Sequence, residues 1–198
     1  MKMNPLLAVC LVVACAFPSC LNAEAETEAA SPEAPKGFSW RQLEDVRITV
    51  LVPDGWLVSR FEEKGTIAYK VTTDKTYQTG LTINIITNVS DKTKHDTAAV
   101  GKKISAPVYA VYQIEQYKKH STTVLDEWHR EMPPLLISGC EIVKTIDGVE
   151  SHIRSTAIGN AKTDTLYVWM FGSPASSWKE AWAFGRKMLN PILIDNEF

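Results

Sequence analysis

Apolar and polar residues alternate along much of this chain. In "VRITVLVPDGW" the residues Val46, Ile48, Val50 and Val52 recur at every second position, and Pro53-Asp54-Gly55 supplies turn chemistry at the end. Period two is the signature of a strand with one buried face. "TIAYKVT" repeats the pattern with Ile67, Tyr69 and Val71, and "LTINIITNV" repeats it with Leu81, Ile83, Ile85 and Val89. The other side of that third strand carries Thr82, Asn84 and Asn88, so it is expected to meet water or a polar layer. "SAPVYAVYQIEQYKKHS" changes period. Ser105 suits a cap, Pro107 a first turn, Val108, Val111 and Tyr112 a helical stripe, and Lys118, Lys119 and His120 a last turn. The segment "PLLISGCEIVKTIDGVESHIRSTAIGNAKTDTLYVWMF" then reads as a three-stranded meander. Asp147-Gly148 marks its first hairpin and "GNAK" its second turn.

The last strand of that meander is apolar on both sides. Leu166, Val168 and Met170 point one way, and Tyr167, Trp169 and Phe171 the other. It is therefore predicted to be central in its sheet and covered on both faces. "GSPASSWKEAWAFGRKML" follows, with Ser173 as a cap, Pro174 in the first helical position, and Trp178, Ala181, Trp182, Gly185 and Leu189 as one stripe. Apolar burial stabilises by roughly 25 cal/mol per Å², so a stripe holding two indoles belongs on the sheet as core, not around a ligand. The fold class expected from these elements is α+β, a mainly antiparallel sheet flanked by helices.

The N-terminus is of another kind. Lys2 precedes an apolar stretch from Leu6 to Phe17, then Pro18 and small residues. That is the layout of a secretory signal peptide, shorter than a membrane span. Cleavage after Ala23 or Ala25 fits the small-residue form of Ala23-Glu24-Ala25. Taken at Ala23, it divides the chain into a leader 1–23, an acidic Ala- and Pro-rich tether 24–37 that lacks large apolar residues, and one globular domain 38–198. The mature chain is then expected to be periplasmic or secreted. The alternative is a lipid anchor on Cys15, whose preceding "LVVA" resembles a bacterial lipobox. Cys10, Cys15 and Cys20 all fall in the leader, so the mature chain keeps only Cys140 and has no internal disulfide. Cys140 sits in a strand pattern and is expected to be buried and inert. A net charge of −2 argues against a nucleic-acid partner.

Catalytic signatures are missing. There is no nucleophile elbow, no zinc-protease helix and no phosphate-binding glycine loop. The densest donor cluster is "DEWHRE", where Glu127, His129 and Glu131 form a weak alternative metal site and a surface salt-bridge run is the preferred reading. A serine hydrolase built from Ser138 or Ser155 with His152 and Asp147 is the other alternative. Asn88-Val89-Ser90 is a glycosylation sequon, with meaning only in a eukaryotic host. Neither a cofactor nor a metal is expected. The candidate binding residues are Thr82, Asn84 and Asn88 on the polar strand face, and His95 and Asp96 in the polar stretch Ser90–Lys103, which carries four lysines.

The order of elements, with "VPDGW" closing an early strand and "YVWMFGSPASSWKEAWAFGRKMLNPILI" ending the chain, resembles PsbP-type domains. Pro53, Gly55, Trp56, Pro174 and Trp178 carry the resemblance. The PsbP family comprises extrinsic proteins of photosystem II and bacterial relatives, and it shares an α/β/α sandwich with Ran-binding Mog proteins. The resemblance implies a non-catalytic binding or assembly-accessory domain on the exported side of a membrane. Its partner is unknown, with an envelope or membrane-associated protein as the candidate. The acidic and arginine-bearing segment through which Mog proteins approach Ran is not recognisable, so that role is not carried over. The leader also lacks the bipartite form of a chloroplast import sequence.

Overall fold

The computed structural model describes residues 33–43, 48–63, 66–74, 78–93, 103–189 and 193–194. Strands β1 (Phe38–Leu43), β2 (Ile48–Pro53), β3 (Leu57–Glu63), β4 (Thr66–Thr72) and β5 (Gly80–Ile86) come first. Helices α1 (Val89–Lys92) and α2 (Ala106–Lys119) follow, then β6 (Thr123–Met132), β7 (Leu135–Ile146), β8 (Val149–Asn160) and β9 (Thr165–Pro174). A 3₁₀ turn (Ala175–Ser177), helix α3 (Trp178–Leu189) and β10 (Leu193–Ile194) end the order.

The doubly apolar "LYVWMF" strand is β9, and it sits at the middle of a seven-stranded antiparallel sheet ordered β3-β4-β5-β9-β8-β7-β6. Its two side-chain sets enter two different cores. Tyr167, Trp169 and Phe171 join Tyr69, Val71, Leu81, Ile83 and Ile85 beneath α3 and a second, three-stranded sheet ordered β1-β2-β10. Leu166 and Val168 join Cys140, Ile142 and Ala157 beneath α2. The large sheet is thus the middle layer, with α2 on one side and α3 with the small sheet on the other. The expected mainly antiparallel α+β architecture, helices on both faces, is what the chain adopts.

Helix α2 turns a different side to the sheet from the one expected. Ala106, Ala110 and Ile114 are buried, whereas Val108 is 58% exposed. Close approach decides this. A methyl group at Gly159 would lie 2.4 Å from the Ala106 carbonyl oxygen, so the helix backbone rests on the strand, and only small residues fit at that contact. Pro107 does occupy the first turn, but Ser105 makes no side-chain cap bond. The cap comes from Asp164 in the β8–β9 turn, whose Oδ1 accepts the Ala106 N–H at 3.2 Å. Its Oδ2 accepts the Ser90 N–H at 2.8 Å and the Ser90 hydroxyl at 2.7 Å, and its carbonyl accepts the Val89 N–H at 3.0 Å. Asp164 adopts φ 50°, and the geometry of a left-handed turn residue lets one side chain serve two helix starts.

Three further local expectations change. Val89 leaves the strand and begins α1, where it is fully buried. Ser173 and Pro174 close β9, and α3 starts only at Trp178, after the 3₁₀ turn. Strands β1, β3 and β6 are additions. Each lies at an edge, where exposure removes the apolar alternation that makes a strand readable.

Candidate functional site

The inner face beneath α3 and the small sheet holds polar chemistry at both ends. At the β6–β8 end, register places Asp126 and Trp128 of β6, Glu141 of β7 and Arg154 of β8 on one side of the sheet. Gly139 makes room for the indole of Trp128, since a methyl there would sit 2.1 Å from it. The Arg154 guanidinium lies 4.0 Å from the Trp128 ring centroid and 5.6 Å from that of Trp182. Trp182 stacks on Trp178 at 5.2 Å, and Trp178 stacks on the His152 ring at 3.8 Å and 15°. Glu141 closes the ladder. One carboxylate oxygen accepts from His152 Nε2 at 2.7 Å and the other from Arg154. Every charge here has an aromatic or ionic neighbour, so the assembly is a clamp that fastens α3 to β7 and β8. Trp178 and Trp182 pack against the core and remain half-buried, because their outer faces serve this ladder.

At the other end the same face is open. A cleft of about 550 Å³ lies between the small sheet and β3–β4, lined by Ser39, Arg41, Leu43, Val58, Arg60 and Tyr69, with the Pro53–Trp56 turn at its rim. Strand parity shows why arginines are there. Ser39, Arg41 and Leu43 pair with Val52, Val50 and Ile48, all core residues, so they face the large sheet. Arg60 and Val58 pair with core residues Tyr69 and Val71, so they face the small sheet. Both strands are edges. Trp56 is braced by Phe184 of α3 at 5.8 Å, and Phe184 in turn meets Phe38 at 6.2 Å. Arg60 reaches Glu62 at 2.9 Å in an exposed pair. Among the described residues no carboxylate is in ion-pair range of Arg41.

The residues singled out in the sequence are scattered. Thr82 lines a smaller cavity of about 160 Å³ together with Lys70, Thr72, Gln78 and Ser173. Asn84, on the same side of β5, stands opposite Ala68 and Val168 and does not line it. Asn88 is exposed at the start of α1 with φ 52°. His95, Asp96 and Cys15 lie outside the described residues. Glu127, His129 and Glu131 share one side of β6. Glu127 is taken by Lys118 at 2.6 Å, and His129 lies 3.8 Å from Glu131. The bonds from Glu127 and Glu115 push the Lys118 pKa up. Among the described residues no group of three such donors is arranged for a metal ion.

The serine hydrolase does not assemble. Ser155 is three residues from His152 on β8, so the two face opposite sides of the sheet. Ser138 faces the α2 side, opposite Ala157, and Asp147 occupies the β7–β8 hairpin turn. Cys140 is fully buried beneath α2, and burial pushes its thiol up to about 11. Arg41 and Arg60 were missed in the sequence. Their signal was a charge at the inward parity of an apolar strand: Arg41 two before Leu43, and Arg60 two after Val58.

No known family profile matches the sequence, and no curated protein matches it. Solved structures do match. The cyanobacterial PsbP of Synechocystis aligns over 85% of this chain and 99% of its own, with a TM-score of 0.52 at 12% identity. The fold is PsbP-like. The Ran-binding protein Mog1p of Saccharomyces cerevisiae aligns over 79% of this chain and 95% of its own, at 14% identity and a TM-score of 0.44. At such identities the likeness to PsbP is one of architecture, which is what the element order and the "VPDGW" and "SPASSW" segments had implied. No helix among the described residues is long and apolar enough to cross a membrane.

Proposed function

We propose that this PsbP-like chain is an exported, non-catalytic binding or assembly-accessory domain whose ligand seat is the cleft between β1 and β3. The observation that carries the reading is the pair of cleft-facing arginines, one on each wall of an open cavity that is otherwise walled by Leu43, Val52, Val58, Trp56 and Tyr69. At the β6–β8 end Arg154 is half-buried and held by Glu141. At the cleft end Arg41 and Arg60 are exposed at the mouth, where their donors are within reach of an entering anion. Pockets with apolar walls and a few convergent polar groups are the usual form of such sites. Export rests on the leader, with its apolar stretch from Leu6 to Phe17 and the small residues around Ala23.

Two measurements test this. Intact-mass analysis of the chain expressed with its leader is expected to find a mature N-terminus just after Ala23. A diacylated Cys15 moves the protein to a membrane anchor, and a retained Met1 overturns export. A screen of ester, phosphoester and peptide substrates is expected to find no turnover. Robust turnover that disappears in His152→Ala overturns the non-catalytic reading.

A further inference from the structure

We infer that the cleft takes a small anionic amphiphile, a carboxylate-type head on an apolar body. The inference rests on the cleft being the ligand seat. Size comes first. About 550 Å³ lies within the range of roughly 300–1,000 Å³ that small-molecule pockets occupy. The walls come next. Leu43, Val52 and Val58 are aliphatic, and Trp56 and Tyr69 add aromatic faces, one of them fixed by Phe184. A body of apolar carbon matches them.

The charge selects the head. Arg41 and Arg60 approach the cleft from opposite walls, one from each sheet, and among the described residues the lining contains one carboxylate, Asp54. A guanidinium presents a planar fork of donors that matches a carboxylate in two parallel bonds. The exposed Arg60–Glu62 pair does not prevent this, since such pairs are worth about 0–1 kcal/mol and an incoming anion displaces one readily. A cationic ligand meets repulsion from two arginines. A neutral one brings no counter-charge to either arginine. Inward-pointing charges also guard sheet edges against pairing with other chains. That role needs no cavity and no particular ligand, so the two accounts make different predictions.

The test uses three ligands that share one body: octanoate, 1-octanol and octylammonium, titrated calorimetrically into the full chain. Octanoate is expected to bind at least about tenfold more tightly than octanol, the value of one charge-assisted hydrogen bond, and octylammonium is expected not to bind. In the double variant Arg41→Gln, Arg60→Gln the octanoate preference is expected to vanish while octanol binding persists. A thermal melt confirms that this variant is folded. If octanol and octylammonium bind as well as octanoate, and Trp56→Ala weakens all three, the anionic class is wrong and the cleft stands as a ligand seat. If octanoate keeps its preference in the double variant, the assignment to these arginines is overturned. If none of the three binds, the cleft reading falls with the inference.

Discussion

The two ends of the face beneath α3 use the same residue types to opposite effect. Each brings arginine and tryptophan together, on strands β6 and β8 at one end and on β1, β3 and the Pro53–Trp56 turn at the other. At the β6–β8 end Arg154 lies between two indoles and bonds to Glu141. At the β1–β3 end Arg41 and Arg60 face a cavity of about 550 Å³. The difference separates polar residues packed into the fold from polar residues exposed at the mouth of a cavity. What distinguishes them is burial, since each end holds an ion pair, Arg154–Glu141 at one and Arg60–Glu62 at the other.

Trp182→Ala strikes the filled end hardest. It removes a ring that packs on Phe171, stacks on Trp178 and meets the Arg154 guanidinium. A loss of about 3 kcal/mol is expected in denaturant melts, at the low end for large aromatic truncations because the ring is half-buried. A loss below about 1 kcal/mol would show that the ladder is not a clamp. Glu141→Gln keeps the shape and removes the charge that His152 and Arg154 share. About 2 kcal/mol is expected, since a partly buried guanidinium is left short of its counter-ion.

The opposite face of the sheet supplies a control for both ends. Burial raises the Cys140 thiol from 9.0 to about 11, so the unfolded chain gives up that proton at lower pH than the folded one. Stability should hold below about pH 9 and fall as the pH climbs toward about 11. Burial also raises Tyr117, above its usual 10.0, which adds to the loss at the alkaline end. Midpoints measured at several pH values check this, and Cys140→Ala should flatten part of the slope without changing either end of the other face. The smallest effect belongs to the open end. Arg41→Gln should leave stability within about 0.5 kcal/mol, as surface substitutions do. A clear loss there would mean that Arg41 is structural after all, and the contrast between the ends would collapse.

Sequence reasoning reached the centre of this molecule more easily than its margins. The β7–β9 meander was legible because Asp147-Gly148 names its hairpin and because β9 is apolar on both sides. The α2 stripe was misread for a packing reason. Val108 looks like core by hydrophobicity, yet the contact at Gly159 admits only the smaller Ala106 and Ala110. β6 was read as a charged run, since an edge strand with Asp126, Glu127, His129, Arg130 and Glu131 shows no apolar alternation. Trp178 and Trp182 were placed on the sheet, but their second role as partners of His152 and Arg154 depends on register across β7, β8 and α3, which no local window contains. The cleft was invisible for the same reason. Arg41 and Arg60 belong to different sheets and meet only when both sheets are built. Thr82 and Asn84 do share one side of β5, but nothing in the alternation says which polar residues there share a cavity.

Asp164 has a consequence for how the chain tolerates change. One residue anchors the start of α1 and the start of α2, and Thr93 adds a bond to the Ile104 carbonyl at 3.4 Å. The starts of both helices therefore answer to a single side chain, and a change at Asp164 is felt at α1 and α2 together.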